Sequence, residues 1–137
     1  MPTKTDVLLD TNVLVYAIDK GSPFHAQASA LLNNQNFNFF IPTKVISEYF
    51  AVCSKLGIVF SDALVLYRSV CQNTQILFPN ANSLAIFERL LQKYQPKGNR
   101  VFDLEIVSIA VANQVPEIAT VNVKDFAGIA EIAVRPL

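Results

Sequence analysis

The chain contains two kinds of segment in alternation. Short continuous apolar runs are followed by longer stretches in which the apolar residues recur at helical spacing. Residues 7–9 form the first apolar run, which ends at Asp10, and a second apolar stretch begins after Asn12. A short apolar run bounded by turn-forming residues is typical of a strand buried on both faces, as in a parallel sheet. Because Asn12 is a favourable helix N-cap, the pattern predicts a change from strand to helix within two residues.

The same pattern predicts further strands that alternate with helices. The strands are expected at residues 39–41, 75–78, 118–121 and 132–134. The helices are expected at about residues 23–32, 43–56, 61–71 and 103–114, with one more from Asn82 or Ser83 to residue 94. Strands separated by helices predict an α/β fold with three layers, α/β/α, around a mostly parallel sheet of four to five short strands.

Length and composition narrow the class of protein. A chain of 137 residues is expected to form one domain, residues 1–137, with a substantial core. Apolar residues make up 52% and charged residues 16%, which argues against disorder and suggests that another subunit or partner covers some apolar surface. Two cysteines, Cys53 and Cys71, lie in apolar helical patterns and are expected to be buried free thiols.

No segment of the sequence predicts export or membrane insertion. The first six residues lack the layout of a signal peptide, and no apolar run approaches the ~20 residues that a membrane span needs. We therefore expect a soluble protein in the cytoplasm, without a membrane partner. His25 is the only histidine, which argues against a zinc site, and we expect it to lie at the surface.

Four carboxylates are placed where they could share a site. Asp10 and Asp125 follow predicted strands, Asp103 begins a predicted helix, and Glu48 lies at the border of an apolar helix face. The carboxyl ends of parallel strands are where open α/β sheets bind ligands. Each residue also has a structural interpretation: Asp10 and Asp125 as turn formers, Asp103 as a helix cap, Glu48 as a solvated residue.

A cluster of these carboxylates would need a cation, because several of them cannot share a cleft in ionised form otherwise. Carboxylate and water ligands favour Mg²⁺ or Mn²⁺. The net charge of the chain is zero, which gives no overall basic field for nucleic acid. If the four acids bind metal, however, eleven basic residues face seven acidic ones.

The sequence resembles the PIN-domain ribonucleases, and its order of motifs and length are similar to the VapC-type toxins of bacterial toxin–antitoxin pairs. The resemblance rests on residues 8–14 (LLDTNVL), 46–49 (ISEY), 101–103 (VFD) and 120–126 (TVNVKDF). It implies a Mg²⁺-dependent endoribonuclease that cuts single-stranded RNA, commonly forms a homodimer and is held inactive by a cognate antitoxin.

The resemblance also assigns roles to residues. The acidic roles, catalytic and metal-binding, fall on Asp10, Glu48 and Asp103, and the fourth falls on Asp125 or on Asn122. Thr11 or Asn12 would make a polar contact in the site.

Three basic residues are placed to bind the phosphates that flank the cleaved bond, although basic loops are more often merely solvated. They are Lys97, Arg100 and Lys124.

Two other functions remain open from the sequence. One is a PIN-like scaffold that binds RNA or protein without cutting it. The other is a haloacid-dehalogenase-type phosphatase with Asp10 as its nucleophile. That family has a second aspartate two residues later, where this chain has Asn12.

Overall fold

A computed structural model describes residues 3–137 and contains a five-stranded parallel sheet. The strands are β1 (Thr5–Leu9), β2 (Phe37–Pro42), β3 (Thr74–Leu77), β4 (Glu117–Thr120) and β5 (Ala133–Pro136). Their order across the sheet is β3-β2-β1-β4-β5, and every neighbouring pair is parallel. The expected α/β fold with a parallel sheet is confirmed.

Seven helices connect and cover the strands within residues 3–137. They are α1 (Thr11–Ile18), α2 (His25–Leu32), α3 (Thr43–Lys55), α4 (Phe60–Cys71), α5 (Ala81–Tyr94), α6 (Arg100–Ala112) and α7 (Val123–Phe126). Helices α1 to α4 pack against one another, and α5 packs mainly against α6. Since the crossovers of parallel strands place helices on both faces of the sheet, the result is three layers.

The first strand lies at the centre of the sheet. Leu8 is in register with Phe40 of β2 on one side and with Ile118 of β4 on the other. Its residues Val7–Leu9 are fully buried, which explains why they are all apolar rather than alternating. The chain leaves the core at Asp10, whose backbone N–H still donates to the carbonyl of Ala119. The end of β1 is therefore fixed to the end of β4.

Two helices begin earlier than the sequence pattern predicted, which corrects two cap assignments. The N-cap of α1 is Asp10, not Asn12: its carboxylate Oδ1 accepts the N–H of Thr11 at 2.8 Å. Helix α6 begins at Arg100, so Asp103 lies inside its first turn and is not the cap. In both cases the helix starts upstream of the predicted cap: Asp10 caps α1 through its side chain, whereas Asn99 at the start of α6 makes no side-chain capping bond.

The start of α5 shows the same shift. Asn80, rather than Asn82 or Ser83, is the N-cap, and its side chain accepts the N–H of Ser83 at 2.9 Å. The Ser83 hydroxyl accepts the N–H of Asn80 at 2.8 Å in return, which completes a reciprocal capping box. Asp125, interpreted from the sequence as a turn former, lies in the short helix α7.

Smaller differences concern single residues. Cys53 is buried as expected, whereas Cys71 at the end of α4 is only partly buried. His25 is partly buried and pairs through Nδ1 with the carbonyl of Tyr16 at 2.8 Å, which ties α2 to α1. Among residues 3–137 there is no helix whose length and apolar character would let it cross a membrane.

Candidate active site

A cleft of about 440 Å³ opens at the carboxyl edge of the sheet, between α1, α3, α6 and the segment after β4. All four predicted carboxylates line it, as do all three of the predicted polar contacts. The carboxylates are Asp10, Glu48, Asp103 and Asp125, and the polar residues are Thr11, Asn12 and Asn122. Apolar side chains that include Val15, Val52 and Phe102 form the rest of its wall.

Asp10 is held at the base of the cleft by a dense set of donors. The residue is only 7% exposed, and its carboxylate accepts hydrogen bonds from the Thr11 N–H, the Asn12 amide and the Thr120 hydroxyl. Burial raises the pKa of Asp10, the bonds from Thr120 and Thr11 oppose that rise, and the charges of Glu48 and Asp125 add to it. The carboxylate is thus oriented firmly while its charge stays poorly compensated.

Glu48 reaches the same cleft from α3, because β2 ends beside β1 and α3 starts directly after it. Its Oε2 accepts the hydroxyl of Thr11 at 2.8 Å. Its Oε1 lies 3.6 Å from the Lys44 ammonium one helical turn earlier, and Lys44 lies 3.4 Å from Glu105 of α6. Helix α3 is therefore joined to both α1 and α6 by polar side chains at the rim of the site.

Asp103 faces the cleft from the first turn of α6. Burial raises the pKa of its carboxyl to about 6, and the negative charges of Asp125, Asp10 and Glu48 contribute to the rise, which Arg100 partly opposes. The raised pKa of Asp103 therefore reflects burial first and the like charges of the cleft second.

The fourth acidic position has two candidates, and both line the cleft. Asp125 belongs to α7 and is partly buried, and its charge contributes to the raised pKa of both Asp10 and Asp103. Asn122 precedes α7, is exposed, and donates its backbone N–H to the Thr120 hydroxyl at 3.0 Å. Asp125 therefore brings negative charge to the cleft, and Asn122 brings only neutral polar groups.

The donor set suits a hard divalent cation. Carboxylates and hydroxyls are the ligands that Mg²⁺ and Mn²⁺ prefer, and a cation among them would relieve the repulsion that raises the pKa of Asp103. Within residues 3–137, however, no three His, Cys, Asp or Glu side chains are grouped closely enough to hold a metal ion between them. The acids share a cleft without closing around one point.

The three basic residues predicted to bind phosphate lie outside the cleft wall. Lys97, Arg100 and Lys124 are exposed. Of the three, Arg100 interacts with the acidic residues. Its charge lowers the pKa of Asp103, and its guanidinium lies 3.5 Å from the backbone carbonyl of Asp125. Their contact with RNA stays a prediction.

Sequence reasoning missed three residues of this site. Thr120 is fully buried and donates to Asp10 at 2.8 Å, and it was detectable only as a polar residue ending an apolar strand. Lys44 could have been found from its spacing of four residues before Glu48. Asp19, which follows α1, also lines the cleft, and nothing in its surroundings in the sequence marked it.

The arrangement around Asp10 also bears on the phosphatase interpretation. Asn12 stands where that family has its second aspartate, and its amide donates to both Asp10 and Thr120 at 3.2 Å. The side-chain oxygen Oδ1 of Asn12 accepts the backbone N–H of Val121 at 3.2 Å. The Asn12 side chain therefore connects Asp10 to the end of β4, and an amide cannot act as a general acid.

The carboxylate-lined cleft lies at the carboxyl edge of the parallel sheet, where open α/β sheets bind their ligands. The family model of the PIN domain matches residues 7–132, which is nearly the whole chain. The chain therefore belongs to the PIN-domain family, as the sequence motifs predicted. No curated protein sequence matches it significantly.

Solved structures with the same fold cover almost the full length of the chain. One is VapBC2 from Rickettsia felis bound to a promoter DNA fragment, with a TM-score of 0.73, 24% identity, and coverage of 97% of this chain and 99% of that one. Another is VapC20 from Mycobacterium tuberculosis, a sarcin–ricin loop cleaving toxin, with a TM-score of 0.71, 13% identity, and coverage of 93% and 98%. A third is DNA-bound VapBC from Salmonella typhimurium, with a TM-score of 0.69, 18% identity, and coverage of 96% and 98%. At these identities the likeness concerns the fold.

Proposed function

We propose that this protein is an endoribonuclease that cleaves single-stranded RNA with the help of Mg²⁺ or Mn²⁺. One observation carries the proposal: four carboxylates from separate parts of the chain line one cleft, and their mutual repulsion contributes to the raised pKa of Asp10 and of Asp103. A protein accepts such repulsion where a cation neutralises it in the working state.

In this proposal Asp10, Glu48, Asp103 and Asp125 hold the metal, partly through water. When bound, the ion supplies Lewis-acid chemistry: it activates the attacking water and stabilises charge on the phosphate. The chain itself orients two of the ligands: Thr120 and Asn12 orient Asp10, and Thr11 orients Glu48. Because the acids do not close around one point, water ligands or side-chain movement would complete the coordination.

A protein partner is part of the proposal. The sequence resembles VapC-type toxins, and two of the similar structures above are described as VapBC. We infer that the chain pairs with a cognate antitoxin and acts as a homodimer. Besides Phe102 in the cleft wall, six large apolar side chains are substantially exposed in the described part of the single chain, which supports coverage by another subunit. They are Leu56, Val59, Phe60, Val65, Phe78 and Leu84.

The test is cleavage of labelled single-stranded RNA by the purified protein with Mg²⁺ or Mn²⁺ and with EDTA. We expect products only with metal. Asp10→Asn and Asp103→Asn should each lower the rate by about a hundredfold or more, since each keeps the side-chain shape and removes one charge from the metal site.

Glu88→Gln is the matched control, because Glu88 is an exposed carboxylate on α5 that does not line the cleft. It should cleave like the unaltered protein. Undiminished cleavage by both aspartate variants would exclude the proposed site. RNA binding without cleavage in any divalent metal would favour the scaffold interpretation instead, and hydrolysis of a chromogenic phosphomonoester would favour the phosphatase.

A further inference from the structure

An exposed aromatic ring borders the acidic cleft. Phe102 directly precedes Asp103 in the first turn of α6, lines the cleft, and leaves 47% of its surface exposed. Hydrolysis of a phosphodiester needs the carboxylates but no exposed phenyl group. Exposure of a phenyl ring to water is unfavourable. The position of this ring beside the carboxylates therefore favours a ligand with an apolar face.

The ring is held in position from one side. The Lys44 ammonium lies 4.0 Å from the centroid of the Phe102 ring, a cation–π contact. Lys44 is itself partly buried and paired with Glu48 and Glu105, at 3.6 Å and 3.4 Å. Lys44 therefore contacts one side of the ring, and Phe102 keeps 47% of its surface exposed while it lines the cleft.

A nucleobase fits this surface better than other ligands. Base–aromatic stacking is the usual way in which single-stranded nucleic acids are bound without a fixed sequence, and unpaired bases present flat π-faces. In the chain, the ring and the carboxylate of Asp103 belong to adjacent residues, so a base on the ring would bring its own phosphate next to the acidic cluster.

We propose that Phe102, backed by Lys44, is the stacking platform for a base of the single-stranded substrate beside the cleaved phosphate. The inference rests on the proposed function in that it takes nucleic acid as the ligand. It adds a positioning residue that binds the base, whereas the carboxylates act on the phosphate.

The chain contains no tryptophan, which allows a direct spectroscopic test. The variant Phe102→Trp has a single indole fluorophore, located at the platform. With Mn²⁺ present, a mixed-sequence single-stranded DNA hexamer should quench the fluorescence of this variant, and an abasic hexamer with the same phosphates should not. Gel analysis after the measurement verifies that the hexamer is intact.

Phe78→Trp is the matched control, because Phe78 is 65% exposed and does not line the cleft. Its fluorescence should not respond to either hexamer. If the abasic hexamer quenches Phe102→Trp to the same degree, or if Phe78→Trp is quenched equally, the proposal is overturned, because charge alone or non-specific contact would then explain the signal.

A second measurement uses the native ring. The unaltered protein should bind the base-containing hexamer about fivefold or more tightly than the abasic one, the lower bound for one stacked base. Phe102→Leu should abolish this difference, whereas Phe78→Leu should keep it. A Phe102→Leu variant that folds, is stabilised normally by Mn²⁺ and retains the full difference also contradicts the proposal.

These readouts do not depend on catalysis. If no RNA is cleaved under any condition but the fluorescence of Phe102→Trp responds to bases, the nuclease proposal fails and the stacking platform stands. If RNA is cleaved and Phe102→Trp does not distinguish the two hexamers, only the platform fails, and the exposed ring is then a contact for a protein partner.

Discussion

The Thr120 hydroxyl connects the groups that hold Asp10 in place. It donates to the Asp10 carboxylate at 2.8 Å and accepts from the Asn12 amide and the backbone N–H of Asn122. All of this occurs at a fully buried position at the end of β4. A buried carboxylate that loses its best donor becomes more costly to keep ionised.

Thr120→Val should therefore destabilise the metal-free protein at pH 7 by about 1.5–3 kcal/mol, the range for a hydrogen bond to a charged group. Urea unfolding monitored by circular dichroism measures this. The matched control is Thr74→Val: the Thr74 hydroxyl donates to a neutral acceptor, the carbonyl of Val70, at 2.7 Å, and does not line the cleft. If Thr120→Val lowers the free energy of unfolding no more than Thr74→Val does, the hydrogen bond to Asp10 is no stronger than one to a neutral acceptor.

At the scale of elements, the cap of α5 can be tested against the residue that the sequence suggested. The structure assigns the capping box to Asn80 and Ser83, and Asn82 is an exposed residue inside the helix. Asn80→Ala should lower the free energy of unfolding by about 1 kcal/mol, whereas Asn82→Ala should be neutral or slightly stabilising, because alanine favours helix interiors. Thermal or urea unfolding of the two variants compares them directly, and the opposite ranking would restore Asn82 as the cap.

The elements were predictable from the sequence to within a few residues because the central strands are buried on both faces. The apolar run at residues 7–9 and the mainly apolar stretch at residues 118–121 predicted β1 and β4 to within two residues. Helix starts were less predictable. Several nearby polar residues can each cap a helix, and the pattern alone does not say which of them does so, as at Asp10 and Asn80.

The candidate site was predictable where carboxylates follow strands, because the topology brings those positions to one edge. Thr120 was not predictable, and Lys44 was predictable only as the partner of Glu48 on α3, since the other contacts of both residues are long-range. Thr120 meets Asp10, which lies 110 positions away in the chain, and Lys44 meets Glu105 and the Phe102 ring on another helix. Neither contact can be seen in the local pattern of residues.

At the scale of the whole molecule, the cluster of carboxylates makes stability depend on pH. The pKa of Asp103 is raised to about 6 in the folded protein, above its ordinary value of 3.8. Between these values the folded state binds more protons than the unfolded state, so stability falls as pH rises through this window. The raised pKa of Asp10 acts in the same direction.

The metal-free protein in EDTA should therefore melt at a higher temperature at about pH 5 than at about pH 7.5. Asp103→Asn should reduce this difference, because it removes the group whose protonation causes it, and Glu88→Gln should leave it unchanged. Differential scanning calorimetry at the two pH values measures the effect. A melting temperature of the unaltered protein that rises over the same interval would contradict the raised pKa values.

Metal binding should offset this loss of folding stability at neutral pH. A ligand that binds only the folded state at a hundredfold excess over its dissociation constant adds about 2.7 kcal/mol, which for a chain of this size raises the melting temperature by roughly 9 °C. We expect Mn²⁺ to produce such a shift in the unaltered protein. The gain should be smaller in Asp10→Asn, and equal gains in both proteins would exclude Asp10 as a ligand.

The central place of β1 has a consequence for synthesis on the ribosome. Asp10 is translated 110 residues before Thr120, and its neighbour in the sheet is β4. A nascent chain that has not yet released β4 lacks one side of the cleft. Each chain of the proposed nuclease would therefore stay inactive until β4 and the segment after it have left the ribosome.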